Sequence, residues 1–184
     1  MTVLGKHEIL RYIQEGKLKI EPFEESLVTE NGIDLRIDKQ YAVIKEDLEN
    51  VLILLDKSNS SNLFQIFESE QYIPIRPGEF ILATTVEYVE LPEDLIALCE
   101  LRSSLARWGL AIPPTVVDAG FKGQLTIEIF NNSKRTIHIP VYTPFLHLIF
   151  IKCEGAKPYQ GFYQGQRGVK LPKNVKPVPP KGER

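Results

Sequence analysis

Glu128 sits in Leu125-Thr126-Ile127-Glu128-Ile129-Phe130, where alternation puts Leu125, Ile127 and Ile129 on one face of a strand and Thr126, Glu128 and Phe130 on the other. Its carboxylate therefore shares a face with an aromatic ring. Most strand glutamates are solvated and do nothing more. On an enclosed face, desolvation would instead raise the carboxyl pKa and make Glu128 a competent proton shuttle near neutral pH.

Two segments upstream carry further chemistry. Val116-Val117-Asp118-Ala119-Gly120-Phe121-Lys122-Gly123 reads as a hairpin turn with Asp118 at its entrance. Asp in such a place commonly just stabilises the turn. Alternatively its carboxylate accepts from a sugar hydroxyl while Phe121 packs flat on the ring, which would crowd a 2′-OH and select deoxyribose. Leu101 to Leu110 offers Ser103 as a helix N-cap and Gly109 as a stop, so a strand should run into about one or two helical turns. Free N–H groups there, beside the hydroxyls of Ser103 and Ser104 and the guanidiniums of Arg102 and Arg107, favour an anion such as a triphosphate. The plainer reading is a capped turn whose arginines pair with surface carboxylates.

The elements that must hold these residues are mostly strands. Short apolar stretches separated by turn residues recur at 33–37, 41–44, 51–55, 80–85, 96–101, 125–130, 136–139 and 146–151, the spacing of an all-β chain. Before them, Lys6 to Gly16 carries Ile9, Leu10 and Ile13 at helical spacing and closes on glycine, which suits a short amphipathic helix packed on a sheet. Asp56 to Asn62 reads as a polar loop, and Ile73-Pro74-Ile75-Arg76-Pro77-Gly78-Glu79 as a proline-bounded turn. Residues 1–172 are expected to form one domain, with 173–184 as an extended, solvated Pro/Lys-rich tail.

Composition excludes several classes. A chain of 184 residues with 43% hydrophobic and 25% charged residues is ordinary for a globular domain. The net charge of −2, with both signs interspersed, provides no basic face for a nucleic acid. No apolar run approaches the roughly 20 residues that span a bilayer, and no leader is evident, so a cytoplasmic protein is expected. Cys99 and Cys153 each lie in an apolar run without a second Cys or His at ligand spacing, as buried free thiols do.

Four segments then accumulate, in order: Arg102-Ser103-Ser104-Leu105-Ala106-Arg107, Asp118-Ala119-Gly120-Phe121-Lys122-Gly123, Leu125-Thr126-Ile127-Glu128, and Tyr163-Gln164-Gly165-Gln166 with Gly168. Together with Ile20-Glu21-Pro22-Phe23 and Asn31-Gly32-Ile33-Asp34-Leu35-Arg36, this series resembles the dCTP deaminases of the trimeric dCTP deaminase/dUTPase superfamily over residues 1–172. The resemblance implies a mainly β, distorted β-barrel or jelly-roll-like dUTPase-type fold with short helices, assembled as a homotrimer with active sites between subunits. It implies that Arg102, Ser103, Ser104, Leu105, Ala106 and Arg107 hold the triphosphate and catalytic water, and that Asp118 binds the sugar beside Phe121. Thr126, Ile127 and Glu128 would line the base pocket, Tyr159 and Gln166 would close over the nucleotide, and Mg²⁺ would accompany the triphosphate.

Three departures from the family pattern stand out. Phe162 takes the place of a usual Lys, removing one expected phosphate contact. The stretch from Leu110 to Asp118 is about two residues short and leans toward dUTPases. His147 replaces a frequent Gln and is read as structural.

The implied reaction is hydrolytic deamination of dCTP to dUTP and ammonia. Zinc nucleobase deaminases carry H-x-E and P-C-x-x-C signatures. This chain has neither, and its histidines, His7, His138 and His147, are scattered, so no zinc is expected. Glu128 would act as base and acid, with Ser103 and Arg107 orienting the water and stabilising developing charge. A dUTPase would use Asp118 to activate water against the α-phosphate, a bifunctional enzyme would release dUMP and pyrophosphate, and an inactive nucleotide-binding regulator would do neither. dTTP is a conceivable inhibitor of the enzymes.

Overall fold

In helix α1 (Lys6–Gln14), Ile9 and Tyr12 lie one turn apart and are buried, while Leu10 and Ile13 are half-buried beside them. The helix ends as the sequence predicts: Gly16 takes φ +68 and donates its N–H to the Ile13 carbonyl at 3.0 Å. The computed structural model describes residues 2–45, 53 and 55–180.

The rest is mainly strand. β1 (Lys19–Glu21), β2 (Val28–Thr29) and β3 (Gly32–Ile44) follow the helix. The single turn α2 (Ser60–Leu63) leads into β4 (Phe64–Glu68), β5 (Tyr72–Ile75), β6 (Phe80–Glu90) and β7 (Leu95–Leu101). After the short α3 (Ser103–Ala106) come β8 (Leu110–Ala111), β9 (Thr115–Val117), β10 (Lys122–Asn131), β11 (Ile137–Pro140) and β12 (Pro144–Lys152). One sheet runs β8-β10-β6-β3-β12-β7-β9, with β1 on β6 and β2 and β4 on β3, while β5 and β11 form a separate ribbon.

β3 belongs to both halves of this sheet. Its residues Ile33 to Arg36 pair with β12, whereas Tyr41 and Ala42 pair with β6 after a register shift. That continuity merges the two expected strands 33–37 and 41–44 into one. The sheet curls around one core, in which Leu35, Ile81, Ala97, Ile129, Leu148 and Phe150 are fully or almost fully buried.

Two other expectations change. Ile73 to Ile75 is strand rather than turn, pairing with Ile139 to Ile137. Pro74 is tolerated because a two-stranded ribbon leaves one side of each strand without a ladder partner. The expected strand at 51–55 lies outside the described residues except for Ile53 and Leu55, which are exposed. No helix among the described residues is long and apolar enough to cross a membrane.

Candidate active site

β10 has the alternation predicted for it. Leu125, Ile127 and Ile129 are buried in the core, and Thr126 and Glu128 are half-buried on the opposite face. Glu128 faces a cleft of about 370 Å³ that also takes in Asp118, Phe121, Thr126, Ile127, Tyr159 and Gln166. Seven predicted residues thus gather at one place. The Glu128 carboxylate has no hydrogen bond or ion pair among the described residues, nor has that of the exposed Asp118.

Asp118 is not at a hairpin. β9 pairs with β7 and β10 pairs with β6 and β8, so the turn links strands of opposite halves. Asp118 accepts the Phe121 N–H at its own carbonyl, at 3.1 Å, which leaves the side chain out of the turn's closure. Gly120, at φ +73, could not be replaced without strain, and an added Cβ would come within 2.8 Å of Pro158. This close approach seats the C-terminal segment on the turn: Tyr159 donates its N–H to the Ala119 carbonyl at 2.8 Å, and its ring lies 5.7 Å from that of Phe121.

The same segment continues along β10. Gln166 donates its side-chain N–H to the Gln124 carbonyl at 2.6 Å, Gly168 donates to the Gln124 side chain at 2.7 Å, and Lys170 donates its backbone N–H to the Thr126 hydroxyl at 3.0 Å. Gln166 is 7% exposed and its remaining side-chain oxygen is buried without a partner. A buried acceptor left unpaired is costly, and a donor in the cleft would relieve it.

Sequence reasoning missed Tyr163, Lys170 and Cys99 at the cleft. Lys170 had a local signal, being two residues beyond Gly168; Cys99 had none, because its place depends on strand pairing. The thiol is pushed up to about 12, first by burial and then by the charges of Glu100 and Glu128, so almost none of it is the nucleophilic thiolate at neutral pH. At the missing lysine position, Phe162 carries the Lys173 ammonium 4.9 Å from its ring centroid.

The motif from Arg102 to Arg107 lies elsewhere. Its helix starts one residue earlier than expected, because the Arg102 carbonyl already accepts from Leu105 and Ala106; Arg102 rather than Ser103 is the N-cap. None of its residues lines the Glu128 cleft. Ser104 and Leu105 instead border an apolar groove of about 650 Å³ with Trp108, Leu110, Ile137 and Ile139. Ser103, Ala106 and Arg107 are exposed. Arg107 has no ion pair among the described residues, while the Arg102 Nε–H donates to Asp34 at 2.9 Å. One chain therefore holds the cleft and the arginine turn apart.

A family model described as dCTP deaminase-like matches residues 3–153. A dCTP deaminase of Pyrobaculum calidifontis is 47% identical over 174 residues, covering 95% of this chain and 98% of that protein. The crystal structure of 2′-deoxycytidine 5′-triphosphate deaminase from Agrobacterium tumefaciens matches with TM-score 0.63 at 17% identity, over 80% of this chain and 47% of that chain. This chain thus spans about half the length of that solved protein. The dUTPase of Staphylococcus bacteriophage 80alpha matches with TM-score 0.51 at 14% identity, over 80% of this chain and 97% of that one. At such identities the two solved structures speak for the fold alone.

Proposed function

The chain belongs to the dCTP deaminase-like family, and from that premise we propose that it deaminates dCTP hydrolytically to dUTP and ammonia, with Glu128 as the proton shuttle. The observation that carries this reading is the unpartnered Glu128 carboxylate on the wall of a cleft shared with Asp118 and Phe121. Water gives a proton to Glu128 as its oxygen bonds to C4 of cytosine, and that proton passes to N3. The new C4 hydroxyl then yields its proton, through Glu128, to the amino group. The C4–N bond breaks, ammonia leaves, and C4 becomes the uracil carbonyl. Asp118 accepts from the sugar hydroxyl, the Phe121 ring excludes a 2′-OH, Thr126 and Ile127 border the base, and Tyr159 and Gln166 close the cleft.

Arg102 to Arg107 serve the triphosphate, and Ser103 and Arg107 orient the water. Since one chain keeps them apart from Glu128, a second copy must bring them to the cleft, which suits a homotrimer with sites between subunits. Among the described residues no three His, Cys, Asp or Glu side chains gather as a metal cage would require. Mg²⁺, which keeps its waters and favours phosphate oxygens, fits a site where the nucleotide supplies the ligands. It would neutralise triphosphate charge, and no zinc enters the reading. The reading is of a cytoplasmic enzyme whose partner is the nucleotide, not a nucleic acid or a membrane.

The exposed, unpaired Asp118 carboxylate in the same cleft favours one further reading, a bifunctional enzyme that carries dUTP on to dUMP and pyrophosphate. Incubation with dCTP and Mg²⁺ tests both. Ammonia with dUTP supports the deaminase, ammonia with dUMP and pyrophosphate the bifunctional enzyme, and no ammonia overturns the two together.

A further inference from the structure

Asp34, His147 and Arg102 stand in a row across three neighbouring strands. Asp34 lies on β3 and pairs in register with His147 on β12. His147 pairs on its other side with Glu100 of β7, and Arg102 follows at the end of that strand. The Asp34 side chain is 8% exposed and both its oxygens are committed. Oδ2 accepts from the Arg102 Nε–H at 2.9 Å, and Oδ1 lies 2.8 Å from His147 Nδ1. A carboxylate only accepts, so the imidazole proton belongs on Nδ1.

The imidazole has a built seat. A Cβ on Gly32 would fall 2.7 Å from His147 Nε2 and 2.2 Å from the Leu148 carbonyl oxygen, so only a residue without a side chain leaves room for the ring. Arg102 is held at the base of its fork, by Nε, with Nη1 3.5 Å from the Pro144 carbonyl. Its side chain remains 39% exposed, which leaves the guanidinium accessible from solvent. A guanidinium whose stem is immobilised loses less freedom when it meets an anion.

We propose that Asp34 is the positioning residue of Arg102 and that His147 fixes Asp34 in turn, so that a part-buried Asp–His couple aims the arginine at the nucleotide's phosphates. The inference rests on the reading that Arg102 meets the triphosphate. His147 thereby gains a task that its isolated place in the sequence does not suggest.

The test uses the full chain and measures binding of dCTP and of dCMP by calorimetry, which does not depend on turnover. Asp34→Asn should weaken dCTP binding about tenfold, the upper end of what re-ordering one freed long side chain costs, and leave dCMP binding within about threefold. His147→Phe should reproduce this selective loss, while His147→Gln, which keeps a donor for Asp34, should restore most of it. If Asp34→Asn does not fold, the His147 pair decides. Equal losses for dCTP and dCMP, or unchanged dCTP binding in a folded variant, overturn the positioning role. Failure of the wild-type protein to release ammonia would overturn the deaminase reading, and the dCTP against dCMP comparison would still judge Asp34.

Discussion

The Lys170 backbone N–H is bound to the Thr126 hydroxyl at 3.0 Å, so the C-terminal segment is fastened to the strand that carries Glu128. Gln124 makes the neighbouring tie, accepting from the Gly168 N–H while donating to the Thr85 and Val86 carbonyls. Gln124→Ala should cost about 1–3 kcal/mol through the groups left unpaired. It should also speed tryptic cleavage at Arg167, whose guanidinium otherwise lies 4.4 Å from the Tyr88 ring centroid, and raise KM for dCTP. Unchanged cleavage would show that Gln124 does not hold the segment.

Glu128→Gln should abolish deamination while dCTP binding stays within about tenfold, because Gln keeps size and reach but cannot accept and return protons; lost general acid/base work costs about 10²- to 10⁴-fold. The loss should sit in kcat. Ammonia release at near wild-type rate would remove Glu128 from the shuttle.

Asp118→Asn is the matched control. In a deaminase it should mainly raise KM by weakening the sugar contact, and in a bifunctional enzyme it should selectively stop pyrophosphate release. Ammonia and pyrophosphate measured separately on the same samples tell the two apart.

Cys99 should resist alkylation. With its thiol pushed up to about 12, only about one molecule in ten thousand carries the thiolate at pH 8, so labelling should be confined to Cys153 until denaturant is added. Rapid modification of both cysteines in the native protein would contradict the burial.

Trp108, the single tryptophan, is 76% exposed in one chain and borders the apolar groove beside Leu105 and Ile137. If copies pack there, its emission should be blue-shifted in the assembled protein, and Trp108→Lys should sediment as a monomer without deaminase activity. A fully active monomer would refute a site shared between subunits. Deamination should also survive chelation of transition metals, whereas removing Mg²⁺ should weaken dCTP binding. A stoichiometric zinc whose extraction stops turnover would sink that expectation.

Short-range pattern made part of the site legible. Alternation from Leu125 to Phe130 is enough to face Glu128 away from the core, and Gly109 and Gly120 mark turns that their positive φ angles then require. Long-range pairing was not legible. Whether the strands around Asp118 form a hairpin depends on β9 choosing β7 and β10 choosing β6, and neither choice is written in the turn. Cys99 reaches the cleft, and Asp34 reaches Arg102, only because distant strands lie side by side. The separation of the arginine turn from Glu128 likewise follows from topology, since both segments read as parts of one site.

The period of two along β10 has a consequence for descent as well as for chemistry. The half-buried side chains of Thr126 and Glu128 and the buried ones of Leu125, Ile127 and Ile129 occupy alternate codons over the same short stretch. A mutation at position 128 can rewrite what the wall offers a ligand while Leu125, Ile127 and Ile129 keep the protein folded. Selection can therefore explore new base chemistry here one substitution at a time, along a path whose intermediates stay stable.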